Sequence, residues 1–356
     1  MNKRIIFIAP YPKGRAPSQR FRFEQYIELL KKEEYEIQFH SFLNTKTWNK
    51  LYNEGSFFGK VIGILGSFLR RFILLFKIRK SDYIFIHREA SMIGPPVFEW
   101  IIAKILRKKY IYDFDDAIWL PNYSKTNEKF HKLKAYGKVK RIIKWADSVT
   151  AGNSYLKKYA EQYNKNVQVL PTTIDLDNVH NIPTTQNDAI VNIGWTGTHT
   201  TLRYLTEIVP ILEELEKEHR FTFTVISNQK PDFQLNSLRY IPWKKETEIE
   251  DLSKINIGLM PLKETPWAEG KCGFKGLQYM ALEIPAVISP VGVNKDIVTD
   301  NINGILCTSD EEWKEALRRL INDRILREKI GKKGRETVLL RYSIAANKQI
   351  YLNLFK

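Results

Sequence analysis

Cysteine is nearly absent from this chain, with only Cys272 and Cys307 among 356 residues. Two thiols are too few for a disulfide framework or a thiolate zinc site, and a reducing cytoplasm is the simplest setting for them. Long apolar runs are missing as well. The most apolar stretch, 57–78, is interrupted by Lys60, Arg70, Arg71 and Lys77. It falls short of the roughly 20 mostly apolar residues that a membrane span needs. The opening Met1-Asn-Lys-Arg-Ile-Ile-Phe-Ile-Ala-Pro10 is strand-length and is not a secretory core, so no signal peptide is expected. There is no low-complexity tract and no internal repeat. Negative charge is in the minority: 40 Asp and Glu stand against 56 Lys and Arg, a net charge of +16. That excess points to an anionic partner such as a nucleotide, a phospholipid surface or a nucleic acid.

What remains is the composition of a globular protein, 43% hydrophobic and 27% charged, long enough for two domains. Short β-rich runs alternate with helical patterns. The expected strands in the front half are Arg4–Ala9, Tyr35–His40, Asp82–His87, Lys109–Phe114, Asp147–Ala151 and Val167–Leu170. Helices are expected over Ser18–Lys32, Lys60–Ile78, Met92–Arg107, Glu128–Trp145 and Ser154–Tyr163. Pro171 to Asn187 is polar and reads as a linker. The alternation restarts with strands at Ala189–Gly194, Arg220–Ile226, Leu238–Ile241, Ile255–Met260 and Ala286–Ser289. Helices fall near Thr200–Glu218, Thr247–Leu252, Lys275–Leu282 and Asp310–Leu320, and the tail from Ile325 is helical. Such alternation predicts an α/β protein of two doubly wound, Rossmann-like domains facing a central cleft, with ligands beyond the carboxyl ends of the strands.

Four clusters carry chemistry. In Trp267-Ala-Glu-Gly-Lys-Cys-Gly-Phe-Lys-Gly-Leu-Gln-Tyr-Met-Ala281 a glycine-containing loop runs into a helix. Gly270, Gly273 and Gly276 let backbone approach a ligand, and Lys271 and Lys275 place cations where a helix begins. Helix N-termini favour anions, so this arrangement suits a diphosphate, although a solvated loop with ordinary lysines remains an alternative. Ile193-Gly-Trp-Thr-Gly-Thr-His-Thr-Thr-Leu-Arg-Tyr204 is a strand, a turn and a helix, with Thr198 or Thr200 as the expected cap. It has the topology of a phosphate cradle or of an ordinary βα turn, and Gly197 and Thr198 are its candidate contacts. Pro10 to Glu24 follows the first strand and gathers Gly14, Arg15, Arg20 and Arg22 at a helix start, with Arg20 the favoured anion contact and a solvated basic face the alternative. Tyr110-Ile-Tyr-Asp-Phe-Asp-Asp-Ala-Ile-Trp119 puts Asp113, Asp115 and Asp116 at the end of a strand. Alternation places Asp113 and Asp115 on one face and Asp116 on the other. A metal site, a general base, a clamp for hydroxyls and local backbone capping all remain open for these carboxylates.

The stretch Lys60 to Ile73 adds an amphipathic helix. Lys60, Gly63, Gly66, Ser67, Arg70 and Arg71 fall on one side, and Val61, Ile62, Ile64, Leu65, Phe68, Leu69, Phe72 and Ile73 on the other. It either packs on the sheet or lies on an anionic membrane surface, and Phe57 and Phe58 extend it.

The segment over residues 255–306 resembles the donor-binding signature of GT-B glycosyltransferases, in particular retaining family four, also called group 1. Gln278-Tyr-Met-Ala281 stands at that family's Glu-Ala-Met-Ala place, Pro285-Ala-Val-Ile288 follows, and Val291 to Val298 with Asn303-Gly304 matches its glycine loop, acidic helix and Asn-Gly turn. The family's paired glutamates sit eight residues apart. Gln278 occupies the second place, Gly270 the first, and Glu269 beside it is the candidate substitute. The resemblance implies an N-terminal acceptor-side domain over 1–172, a C-terminal nucleotide-sugar domain over 188–338, and a helix over 339–356 crossing back. It implies retaining transfer of a sugar from a nucleoside-diphosphate sugar to a hydroxyl of a glycan or lipid-linked saccharide, in bacterial surface polysaccharide synthesis, without a metal or a bound cofactor. The implied catalytic residues are Asp115, Asp116, Glu269 and Lys275. The implied donor contacts are Gly14, Arg20, Gly197, Thr198, Lys271, Gly273, Phe274, Lys275, Gln278 and Gly292. The setting is cytoplasmic, peripheral to the inner face of the cell membrane through 57–78, with no nucleic-acid partner. A nucleotide-sugar epimerase, a phosphorylase and a basic nucleic-acid-binding protein are the rival readings.

Overall fold

A computed structural model describes residues 2–52, 57–122, 131–186 and 190–356, with only the backbone of Tyr52 and Phe57. The chain divides into two compact units, Met1–Thr172 with Lys348–Lys356, and Thr173–Asn347.

The first unit is built on a six-stranded parallel sheet. Its strands are β1 (Arg4–Ala9), β2 (Glu36–Ser41), β3 (Tyr83–His87), β4 (Ile111–Phe114), β5 (Ser148–Ala151) and β6 (Val167–Val169), ordered β2-β1-β3-β4-β5-β6. β1 and β3 read as unbroken apolar runs because both faces are covered, as parallel strands require. Phe7 lies in register between Phe39 and Phe85, and its ring stacks 5.2 Å from Phe23. The chain's last residues complete this core. Tyr351 lies flat on Tyr26 with centroids 3.9 Å apart, and the Phe355 carbonyl accepts from the Tyr35 hydroxyl at 2.9 Å.

The second unit repeats the plan with β7 (Val191–Gly197), β8 (Phe221–Ser227), β9 (Leu238–Pro242), β10 (Ile257–Met260), β11 (Ala286–Ile288) and β12 (Ile305–Leu306). The order β12-β11-β10-β7-β8-β9 is that of a dinucleotide-binding sheet, whose strand order reverses between β7 and β10. Its core joins Trp195, Phe223, Leu259 and Val287 to Leu212, Leu215, Trp313 and Leu317 from the covering helices.

Three differences from expectation have physical causes. The helix expected over 18–32 breaks into Pro17–Arg20, a 3-10 turn at Glu24–Tyr26 and Ile27–Lys32. The break falls where Arg22 turns into the core to meet Asp113. The helix expected over 200–218 starts as a 3-10 helix, His199–Glu207, and becomes α-helical only at Val209–Glu218, beside Pro210. Proline has no N–H to continue the first piece but is well suited to open the second. β12 has two residues, too short for a periodic signal. Ala189, residues 128–130 of the expected Glu128–Trp145 helix and the start of the expected 188–338 domain lie outside the described residues.

Candidate functional site

In the second unit, the carboxyl ends of β7 and β10 flank the reversal of strand order, where an open α/β sheet offers its ligand crevice. The Phe274–Ala281 helix packs there. The Tyr279 hydroxyl donates to the Leu259 carbonyl at 3.2 Å and accepts from the Thr196 N–H at 3.1 Å, tying the helix to both strands. Gly273 caps the helix in the left-handed region, φ 68°, and a Cβ there would lie 2.2 Å from Ile297. No acidic residue occupies the first turn, where helix N–H groups and the positive dipole end favour an anion.

Lys275 sits one residue into this helix. Its ammonium lies 4.1 Å from the centroid of the Trp195 ring and 3.5 Å from the Thr201 Oγ1. Among the described residues no carboxylate pairs with it. Burial first, and the neighbouring Lys271 second, push its pKa down from 10.5 to about 7. A half-buried cation with a like charge beside it, answered by an indole face and one long hydroxyl contact, is poorly compensated. Gly197 makes room for that indole, since a Cβ would meet the Trp195 ring at 2.4 Å and Thr201 at 2.7 Å. Thr198 is exposed, occupies the cap position of the 3-10 helix, and pairs its hydroxyl with Thr200 at 2.8 Å without capping through its side chain.

Glu269 ends the short Pro266–Glu269 helix, which Thr265 caps by accepting from the Ala268 N–H at 3.1 Å. Gly292 packs on its backbone, where a Cβ would meet the Glu269 carbonyl at 2.8 Å. Lys271 lies over Trp267 at 5.3 Å. Phe274 opens the helix. Gln278 is buried one turn on, its amide nitrogen 3.4 Å from His180 Nε2. The structure thus gathers Gly197, Lys271, Gly273, Phe274, Lys275, Glu269 and Gly292 at one end of one sheet, with Gln278 deeper on the same helix. Trp195 and Thr201 were the residues to miss. Their signal was the Trp-x-Gly spacing at a strand end, followed four residues later by a hydroxyl.

In the first unit, the three carboxylates of the DFDD run separate into two roles. Asp113 is fully buried, bonded to Arg22, to His87 Nδ1 at 2.7 Å and to the Thr150 hydroxyl at 2.7 Å. Burial would raise its pKa, but Arg22 and then His87 hold it far below the usual carboxylate range. Arg88 donates to both Asp115 and Asp116, through Nε to Asp115 at 2.8 Å and through the terminal Nη2 to Asp116. The expected split of Asp115 and Asp116 onto opposite faces does not occur, because β4 ends at Phe114 and alternation ends with it. Arg88, held at φ 60° just beyond β3, is the partner the two share. Burial would lower its pKa; the two aspartates more than reverse that. Both aspartates keep some exposure, 11% and 16% of the side chain, whereas Asp113 keeps none. Gly14 donates its N–H to Glu24 at 2.7 Å, and Arg20 lies over Phe21 at 4.9 Å and beside that same glutamate. Arg22 belongs to the buried network and is not available to a ligand. No group of three or more metal-ligating side chains converges among the described residues.

The family model described as "Glycosyl transferases group 1" matches residues 233–337. No curated protein matches the chain. Solved structures match it end to end at low identity. The sucrose-phosphate synthase of Thermosynechococcus elongatus superposes with a TM-score of 0.72 at 13% identity, covering 99% of each chain. Anabaena HepE in complex with UDP gives 0.66 at 14% identity, again covering 99% of each. The apo lipopolysaccharide outer core galactosyltransferase WaaB gives 0.59 at 16% identity and 99% of each. The two six-stranded parallel sheets give this chain the GT-B fold, and residues 233–337 within its second unit match the glycosyl transferases group 1 model.

Proposed function

We propose that the protein is a retaining glycosyltransferase that moves a sugar from a nucleoside-diphosphate sugar to a hydroxyl of a glycan or lipid-linked saccharide at the inner face of the cell membrane, in surface polysaccharide synthesis. The observation that carries the reading is the Lys275 ammonium. It sits at a helix start, with no carboxylate partner among the described residues and with its pKa held near 7. A diphosphate placed against it would supply the missing negative charge and receive the first-turn N–H groups together with Lys271. As the leaving diphosphate develops charge, these same groups stabilise it, which is the main demand of glycosyl transfer. No covalent nucleophile is assigned. The leaving phosphate takes the acceptor proton on the face it departs from, which retains the anomeric configuration. Asp115 and Asp116, oriented by Arg88, accept hydrogen bonds from acceptor hydroxyls, and Glu269 orients the transferred sugar. Gln278, Gly197, Thr198 and Gly292 complete the donor subsite. Support for the donor class comes from HepE, solved with UDP and with UDP-glucose, and for the pathway class from the lipopolysaccharide enzyme.

Titration with UDP, GDP, dTDP and ADP, followed calorimetrically, tests the donor class. One of them binds far more tightly than its nucleoside monophosphate if the reading is right, and equal affinity for mono- and diphosphate would refute it. Proton NMR of the product anomer tests retention.

A further inference from the structure

The Phe57–Ile78 helix faces opposite to the way its composition suggests. Its small and polar side is the inner one. Ser67 and Arg71 are buried, and Gly63 sits against Thr47, where a Cβ would lie 2.7 Å away. Arg71 donates to three backbone carbonyls, Ala90 at 2.6 Å, His40 at 2.9 Å and Ala9 at 2.8 Å. Those carbonyls lie at the ends of β1 and β2 and after β3, so the guanidinium fastens the helix to the sheet edge in one rotation. Only Leu74 and Ile78 of the apolar residues beyond Arg71 are buried. Phe68 also turns inward, 5.2 Å from the Phe42 ring, but a stripe of the apolar side looks out: Ile62, Leu65, Leu69, Phe72, Ile73 and Phe76 are 68%, 62%, 63%, 46%, 52% and 73% exposed. The neighbouring Val97–Trp100 helix joins it through Phe98, whose ring lies 5.0 Å from Phe72, and Val97 and Trp100 are themselves exposed.

We propose that this outward face is a docking surface for an anionic lipid bilayer. A continuous stripe of large apolar side chains on one helix is far beyond the scattered exposure of an ordinary surface. Charge decides the occupant. From 57 to 81 the chain has no Asp or Glu, and Lys60, Arg70, Lys77, Arg79 and Lys80 accompany the stripe. Two copies pairing through this face would bring cations against cations with no acid to answer them. Lipid headgroups supply the opposite charge, while long basic side chains reach up to them from beside a shallowly inserted apolar face. No helix among the described residues is long and apolar enough to cross a membrane, so the helix lies on the surface. The inference gives the membrane partner of the proposed function a defined contact, but it uses none of the donor-site residues, and the two can fail separately.

Flotation of the full chain with vesicles tests it, using phosphatidylcholine alone or mixed with phosphatidylglycerol. The protein floats with the anionic vesicles, is released by salt, and stays behind with phosphatidylcholine. The variant Ile62→Ser, Leu65→Ser, Leu69→Ser, Phe76→Ser changes only exposed side chains. It loses more than about tenfold in vesicle partition while its melting temperature and nucleoside-diphosphate affinity are kept. Lys77→Glu, Arg79→Glu, Lys80→Glu removes the preference for anionic lipid. Undiminished flotation of the serine variant overturns the proposal. So does a wild type that fails to float and sediments as a dimer which the serine variant dissolves.

Discussion

Replacing Lys275 by methionine separates function from stability in opposite directions. Methionine keeps most of the methylene contact with Trp195 and removes the charge. The gap between a pKa of 10.5 and one of about 7 is worth at most ~5 kcal/mol, at ~1.36 kcal/mol per pH unit. The indole face returns about 1–2 kcal/mol to the cation, and water at the half-exposed side chain screens much of the rest. A net gain of ~1–2 kcal/mol is expected for Lys275→Met at pH 6, a rise of ~3–6 °C in the melting temperature of a unit this size. Its pH dependence has a definite sign. Between pH 7 and 10.5 the unfolded lysine holds a proton that the folded one has lost, so wild-type stability climbs with pH across that window. The advantage of the methionine variant is therefore full below pH 7 and disappears towards pH 10.5. The same substitution deletes a charge-assisted phosphate contact worth ~1.5–3 kcal/mol, so nucleoside-diphosphate affinity falls ~10–100-fold. Thermal melts at three pH values and calorimetric titration provide both readings. A less stable variant with undiminished affinity would show that Lys275 is a structural lysine, and the donor-site argument would collapse with it.

The remaining expectations concern the other groups. Wild-type diphosphate affinity should fall as pH rises above 7, approaching a tenfold loss per pH unit, because binding then has to take up a proton at Lys275; a flat profile between pH 7 and 9 in calorimetry counts against it. Asp113→Ala strands Arg22 and should cost ~3–5 kcal/mol in urea unfolding, with hydrogen exchange accelerating in the first unit; a cost below about 1 kcal/mol would mean the network is not what it looks like. Asp115→Asn and Asp116→Asn should lower transfer turnover ~100-fold while diphosphate affinity stays unchanged, a split that a donor-side role would not give. Gly197→Val should push Trp195 and Thr201 out of place and weaken diphosphate binding by about tenfold or more, visible in tryptophan fluorescence as well as in titration.

Much of the frame could be read from the residues. The expected strands lie within three residues of the observed ones wherever described, because buried parallel strands such as Ile5–Ala9 and Tyr83–His87 are near-continuous apolar runs bounded by polar residues. Helix limits were harder, since Pro210 and the inward turn of Arg22 act through local geometry that periodicity does not carry. The residues alone leave the rotation of the Phe57–Ile78 helix open between packing on the sheet and lying on a membrane surface. Its amphipathic pattern was plain, but burial of the apolar side is only a default. Here three carbonyls waiting for Arg71 decide against it. The DFDD run shows the same limit. Spacing marked three carboxylates as special, but only folded partners separate Asp113, sealed by Arg22 and His87, from Asp115 and Asp116, which hold Arg88. At the proposed donor site the lysines and glycines stood out in sequence, whereas the Trp195 floor beneath Lys275 depends on a strand and a helix 80 residues apart meeting at one edge.

The central claim is that Lys275, which has no carboxylate partner among the described residues, takes a diphosphate as its counter-charge. Nitrogen-detected NMR titration of the lysine ammonium groups, with Lys275→Met to assign the signal, reads it at the atom concerned. A midpoint near 7 in the free protein that climbs by more than about one pH unit when UDP or the preferred diphosphate is bound agrees with the account. A midpoint that stays where it was while the nucleotide is demonstrably bound contradicts it.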